Sequence, residues 1–310
     1  MSIEVSVIIP EYMGKPMLQE LYTRLKDSLE SITERFEVIL VNDGSPDNLW
    51  EDILMICHQD NRFKGINLSR NFGQHYAITA GLSKSSGRWV VIMDCDLQDR
   101  PEEIPRLYTY AQSANLDIVH AQRILRQDSP FKKTFSKFFY RTLGFLTDTT
   151  QDPSIGNFGI YHHNVIKSVL SMGDQIRYFP TMVKWVGFRS GTMEVEHSKR
   201  SEGKTSYSFH KLMNLAINVI LSFSDKPLKI VAVTGLVMSL LSVCFALITL
   251  IRYFTIGISV IGWSSLIISI WFLAGIVLTV LGIIGLYIGR TFEKVKNRPL
   301  FLILDMVNLD

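Results

Sequence analysis

From Val5 to Ala121 the chain alternates short, continuously apolar runs with segments of helical periodicity, and this alternation narrows its possible folds more than any other feature. Val5 to Pro10, Phe36 to Val41, Lys64 to Leu68, Trp89 to Met93 and Asp117 to Ala121 read as strands. Between them Met17 to Glu34, Leu49 to His58, Gln74 to Ser83 and Glu102 to Ala111 read as helices. In the first of these, Leu18, Leu21, Leu25, Leu29 and Ile32 recur at helical spacing. Strands that are apolar throughout belong in a sheet covered on both faces. The pattern predicts an α/β domain with a doubly wound, mostly parallel sheet whose ligand lies beyond the carboxyl ends of the strands.

Those ends carry the polar residues. Pro10-Glu11-Tyr12 closes the first strand, Asn42-Asp43-Gly44-Ser45 the second, Ser69-Arg70-Asn71-Phe72-Gly73 the third, and Asp94, Asp96 and Asp99 the fourth. Asp94 and Asp96, where strand gives way to loop, can turn toward one hard cation, Mg²⁺ or Mn²⁺, which takes oxygen ligands and grips substrate phosphates. Solvated Asx turns use the same residue types, both here and at Asp43. Arg70 and Asn71 would suit a diphosphate.

The second half of the chain reads as membrane. Ile230 to Ile251 is an uncharged run between Lys229 and Arg252, and Tyr253 to Gly289 holds a second, with a helix expected from about Leu266 to Tyr287. Lys211, Lys226 and Lys229 precede the first run, and Arg290, Lys294, Lys296 and Arg298 follow the second, so both termini are expected in the cytoplasm. The N-terminus lacks the basic and apolar regions of a signal peptide. Cys57, Cys95 and Cys244 have neither metal nor disulfide spacing, as in a reducing compartment. The basic, aromatic stretch Pro130 to Phe145, with Lys132, Lys133, Lys137 and Arg141, and the apolar-faced Phe209 to Phe223 both read as helices lying on a lipid surface; a solvated basic face over a core stripe is the other reading of the former. The expected organisation is a cytoplasmic catalytic domain at 1–208, an interfacial helix at 209–228, two transmembrane helices at 229–289 and a cytoplasmic tail at 290–310. Gly275, Gly282, Gly285 and Gly289 permit close helix packing and a homo-oligomer. Nothing points to a nucleic-acid partner.

The string DCDLQDRPEE resembles the DxD segment of family 2 glycosyltransferases, and its LQD continuation resembles the branch that moves a sugar onto a polyprenyl phosphate, with the dolichyl-phosphate mannose synthases and the bactoprenol glucosyltransferases. The resemblance implies a GT-A-like domain anchored in the inner membrane. It implies inverting transfer from a nucleotide-sugar, UDP-linked by the bactoprenol likeness, to undecaprenyl phosphate at the bilayer's cytoplasmic face. It further implies Asp94, Asp96 and Gln98 as metal ligands, Asp43 at the base or ribose, and Pro10 and Tyr12 against the base. Arg123 would hold the acceptor phosphate, helped by Lys133, and Arg200 in Arg200-Ser201-Glu202-Gly203-Lys204 would clamp the diphosphate, with Lys204 standing in for a lysine frequent two positions later. Three departures appear. Met13-Gly14 replaces a common Asn-Glu, Ser206 replaces that lysine, and Asn157 stands where the branch has a catalytic Asp. Asn157 is expected to position the acceptor, the rivals being Asp152 as its substitute or an impaired chain. A non-catalytic nucleotide-sugar-binding partner of a glycan assembly complex is the alternative these departures allow. A processive synthase is disfavoured, because no QxxRW motif follows the aspartates.

Overall fold

The computed structural model describes residues 3–123, 155–174, 177–196, 224, 226–256 and 262–309. The basic stretch at 130–145, including Lys133, and Arg200, Lys204 and the amphipathic segment at 209–223 lie outside the described residues.

The expected alternation is present as β1 (Val5–Glu11), α1 (Leu18–Glu30), β2 (Phe36–Asn42), α2 (Leu49–Gln59), β3 (Phe63–Leu68), α3 (Gln74–Lys84), β4 (Trp89–Ile92), α4 (Ile104–Ser113) and β5 (Ile118–Arg123). Then follow β6 (Ile155–His162), α5 (His163–Ser171), α6 (Phe179–Trp185), β7 (Ser190–Val195), the long helices α7 (Lys226–Ile256) and α8 (Trp263–Val295), and β8 (Ile303–Val307). α1 stops at Glu30, four residues before its expected end, yet Ile32 still packs on the core.

The chain divides into two units, one holding the sheet and β8, the other holding α7 and α8. In the first, one sheet has the order β7-β5-β6-β4-β1-β2-β3-β8. Its centre is parallel, with β1 between β4 and β2 and β3 beyond, as βαβ connections require. Its flanks are mixed: β6 enters antiparallel between β4 and β5, and β8 caps β3 antiparallel. Every residue of β1, β2 and β4 is buried. On one face Val5, Val7 and Ile9 meet Leu21, Leu25 and Leu29 of α1, where truncating one leucine to alanine costs about 2–5 kcal/mol. On the other face α3 comes so near that a Cβ on Gly81 would stand 2.4 Å from Ile8. Pro10 lies past the last β4 pair, Ile8 with Ile92, where its missing N–H breaks no bond to β4.

The amino edge of the sheet hides a charge. Glu37 is fully buried, and Ser6 Oγ donates to it at 2.5 Å, the Ser86 N–H at 2.7 Å and Lys64 Nζ at 2.6 Å. Burial pushes its carboxyl up, but Lys64, Ser6 and Ser86 together outweigh burial and hold it below the ordinary range.

The stretch 290–310 does more than trail. α8 runs on to Val295, and β8 then pairs Ile303–Val307 with β3. Asn308 donates to the carbonyls of Cys57 and Phe63 at 2.7 and 2.8 Å. Gly65 makes room for this strand, since a Cβ there would lie 2.8 Å from Val307.

In the second unit, one helix among the described residues is long and apolar enough to cross a membrane: Ser269–Val295 of α8, with a mean hydropathy of 2.4. Leu273, Leu278 and Leu281 face outward along it, an apolar surface that water does not favour. Added Cβ atoms at Gly275, Gly282, Gly285 and Gly289 would meet nothing within 4 Å.

Candidate active site

Four strand ends converge, and side chains and backbone tie them into a ring. β1 joins β2 where the Asp43 N–H donates to the Glu11 carbonyl at 2.9 Å and the Met13 N–H donates to Ser45 Oγ at 2.8 Å. The β2 end joins the β3 end through Asp43, whose carboxylate accepts the N–H groups of Phe72 and Gly73 at 2.7 and 2.9 Å. The two loops touch backbone to backbone here, because a Cβ on Gly44 (φ +63°) would lie 2.4 Å from the Arg70 carbonyl carbon. Only glycine fits that contact and that dihedral together. From the start of α3, Gln74 Nε2 donates to Asp94 Oδ1 at 2.6 Å, joining the β3 end to the β4 end. Glu11 beside Cys95 closes the ring back to β1.

The predicted residues fall in this ring with distinct duties. Asp94 and Asp96 are half-buried just past β4. Gln98 sits in the turn, its N–H reaching Asp96 Oδ1 at 3.2 Å, with Leu97 in the left-handed region at φ +56°. Asp99 is buried behind them. Asp43 is also buried, with its two oxygens each taking a backbone N–H; burial raises its pKa despite those bonds. Its observed work is joining loops. Tyr12 is exposed at the rim, as are Arg70 and Asn71, and the Arg70 guanidinium lies over the Phe72 ring at 4.4 Å. Pro10 is buried in β1. Arg123 ends β5 on the same edge. β6 pairs Gly159 with Ile92, and continuing that register by two residues sets Asn157 opposite Asp94. The Tyr161 hydroxyl donates to the Asn157 carbonyl at 3.2 Å, holding this part of β6.

Sequence reasoning passed over Gln74, Glu11 and Cys95. Gln74 had one signal, its place at a helix start directly after the Arg70–Gly73 loop. Glu11 had another, a carboxylate continuing the stripe Val5-Val7-Ile9. Burial drives the Glu11 carboxyl up to about 8 against the opposing bond from Cys95, and it drives His75, in the first turn of α3, down to about 4.

Among the described residues no group of three acidic, histidine or cysteine side chains gathers as a metal cage. Two hard carboxylates at a strand end, one oriented by an amide, instead fit a cation that keeps waters and shares substrate phosphates, the habit of Mg²⁺ and Mn²⁺.

The chain's mixed sheet is of the GT-A-like kind. Its fold is like that of glucosyl-3-phosphoglycerate synthase from Mycobacterium tuberculosis solved with Mn²⁺, UDP-glucose and phosphoglyceric acid, with a TM-score of 0.52 at 12% identity over 71% of this chain and 78% of that one. The chain belongs to glycosyl transferase family 2, whose model matches residues 6–170. It is 38% identical to an uncharacterized glycosyltransferase of Synechocystis sp., over 100% of this chain and 98% of the relative. It is 32% identical to the undecaprenyl-phosphate 4-deoxy-4-formamido-L-arabinose transferase of Proteus mirabilis, over 99% of this chain and 94% of the relative.

Proposed function

We propose that this glycosyltransferase moves a sugar from a nucleotide-sugar, UDP-linked, to undecaprenyl phosphate at the cytoplasmic face of the inner membrane, with inversion at the anomeric carbon. The observation that carries the reading is the loop ring that ends in Asp94 and Asp96. The likeness to the Proteus mirabilis transferase, which runs through the long helices as well as the sheet, supports the lipid acceptor.

Asp94 and Asp96, with Gln98 near them, would hold Mg²⁺ or Mn²⁺, which when bound supplies positive charge against the leaving diphosphate. Gln74 fixes one oxygen of Asp94. Tyr12 and Pro10 border the base, and Asp43, by joining two loops, shapes the pocket for base and ribose. Arg70, Asn71 and Arg200 serve the diphosphate; Arg123, Lys133 and Lys204 serve the acceptor phosphate. A lone pair on an acceptor phosphate oxygen forms the bond to the anomeric carbon, while the bond to the donor diphosphate breaks and its electrons leave with the nucleoside diphosphate. That oxygen needs no base, since a phosphate monoester has a second pKa near 6 and carries about −1.5 to −2 charge at pH 7. Asn157 is then sufficient as an orienting hydrogen-bond donor.

An even number of crossings would leave β8 on the same side of the bilayer as β1, in keeping with their membership of one sheet. α7, with 31 residues against the roughly 20 a span requires, would be the second crossing and would keep both termini cytoplasmic. The exposed glycine positions of α8 suit a homo-oligomer.

The test incubates the full-length protein in membranes with undecaprenyl phosphate, Mn²⁺ and a panel of nucleotide-sugars, and weighs the extracted lipid by mass spectrometry. A sugar-monophosphate lipid that disappears with EDTA is the expected result. Nucleotide binding without product from any donor would instead favour a non-catalytic binding partner.

A further inference from the structure

Glu11 is a carboxyl that the mechanism above does not use. It is fully buried at the end of the central strand, beside Cys95, and among the described residues neither oxygen has a hydrogen bond of full geometry. Val5, Val7 and Ile9 precede it on the same face, so an apolar side chain would continue the core without leaving polar atoms unmet. Its neighbourhood is shaped around it. A Cβ on Gly14 would stand 2.1 Å from Glu11 Oε2 and 3.2 Å from Cys95 Sγ, so the carboxyl occupies the space in which residue 14 would place a side chain. Cys95 lies between Asp94 and Asp96 in the chain, and the Tyr12–Gly14 turn is pinned on its far side by the Met13 bond to Ser45. Both features that flank Glu11, the turn and the aspartate loop, belong to the crevice.

We propose that Glu11 is a positioning residue for donor binding: its carboxyl, filling the space that Gly14 leaves, locks the Tyr12–Gly14 turn to Cys95 and so fixes the loop that bears Asp94 and Asp96. The inference rests on the transferase reading above. Glu11 touches neither donor nor metal and acts through Cys95 and the turn. Gly14 and Glu11 are in consequence a coupled pair, and a methyl at position 14 matters only while the carboxyl is present.

The experiment measures binding of UDP in the presence of Mn²⁺, by calorimetry on the full-length protein in detergent, alongside thermal stability. Glu11→Gln, which keeps shape and polarity, binds within about threefold of wild type. Glu11→Leu and Gly14→Ala each weaken binding by about tenfold, since a displaced loop loses the aligned geometry, while Glu11→Leu keeps or raises the melting temperature. In the Glu11→Leu background, Gly14→Ala has little further effect. Wild-type affinity in Glu11→Leu or in Gly14→Ala, or fully additive losses in the double variant, overturns the proposal; if Glu11→Leu does not fold, Gly14→Ala and Glu11→Gln decide it. Wild-type protein that binds none of UDP, GDP or dTDP overturns the transferase reading itself, and this inference with it.

Discussion

Glu11 and Glu37 sit on adjacent strands of one sheet, both with no exposed surface, and they are treated in opposite ways. At the amino edge, Glu37 accepts from Ser6, Ser86 and Lys64 and stays ionised. At the carboxyl edge, Glu11 has no such partners among the described residues and keeps its proton up to about pH 8. A buried charge is tolerated when its bonds are complete, and a carboxyl without them becomes neutral instead. The amino edge is thus closed by saturated bonds. The carboxyl edge keeps polar groups under constraint, with the two aspartates half-buried and reachable, and that contrast separates a structural edge from a working one.

The largest effect expected from breaking this contrast is on chemistry. Asp96→Ala, at the working edge, should lower transfer by about 10³-fold, measured as labelled sugar reaching the lipid phase, with little change in melting temperature. Near-normal transfer would remove Asp96 from the metal site. Lys64→Met should do the reverse, leaving Glu37 buried without its cation and lowering stability by about 3 kcal/mol in denaturant unfolding, while folded molecules keep their nucleotide affinity. The third test compares how each glutamate responds to pH. Glu11 binds its proton more tightly folded than unfolded, so its contribution to stability declines as pH rises from its ordinary 4.5 toward about 8. Glu37 is held low, so its contribution is present above 4.5 and is lost as pH falls through its lowered value. Melting curves of wild type and Glu11→Gln should therefore diverge between pH 5 and 7.5, by about 1 kcal/mol per unit, with the glutamine variant gaining. Parallel curves would mean that Glu11 is already solvated or ionised.

Much of the site could be read before folding. The polar strand ends at Asp43, Arg70 and Asp94 follow directly from where the apolar runs stop, and the structure does gather them. Their duties were harder to see. Asp43 has the appearance of a ligand contact in sequence, but folding spends both its oxygens on Phe72 and Gly73. Gln74 is marked by its place at a helix start after the Arg70–Gly73 loop, but nothing near it names its partner Asp94, 20 residues on. Glu11 continues the stripe Val5-Val7-Ile9, but nothing near it in sequence announces Cys95, which arrives from 84 residues away.

What the amino-acid order determined alone is what depends on near neighbours: the strands and helices of residues 5–121, the aspartate pair after β4, and the uncharged runs of the long helices. Periodicity and charge spacing act within one element, so they are visible without a fold. Tertiary structure alone decided what depends on distant partners. It inserted β6 between β4 and β5, which brings Asn157 to the same edge of the sheet as Asp94, and it returned Ile303–Val307 to β3 across more than 230 residues. It also left one buried glutamate saturated and its neighbour bare. Strand pairing and side-chain desolvation reward contacts made at any sequence distance, and a local pattern cannot name the residue at the other end.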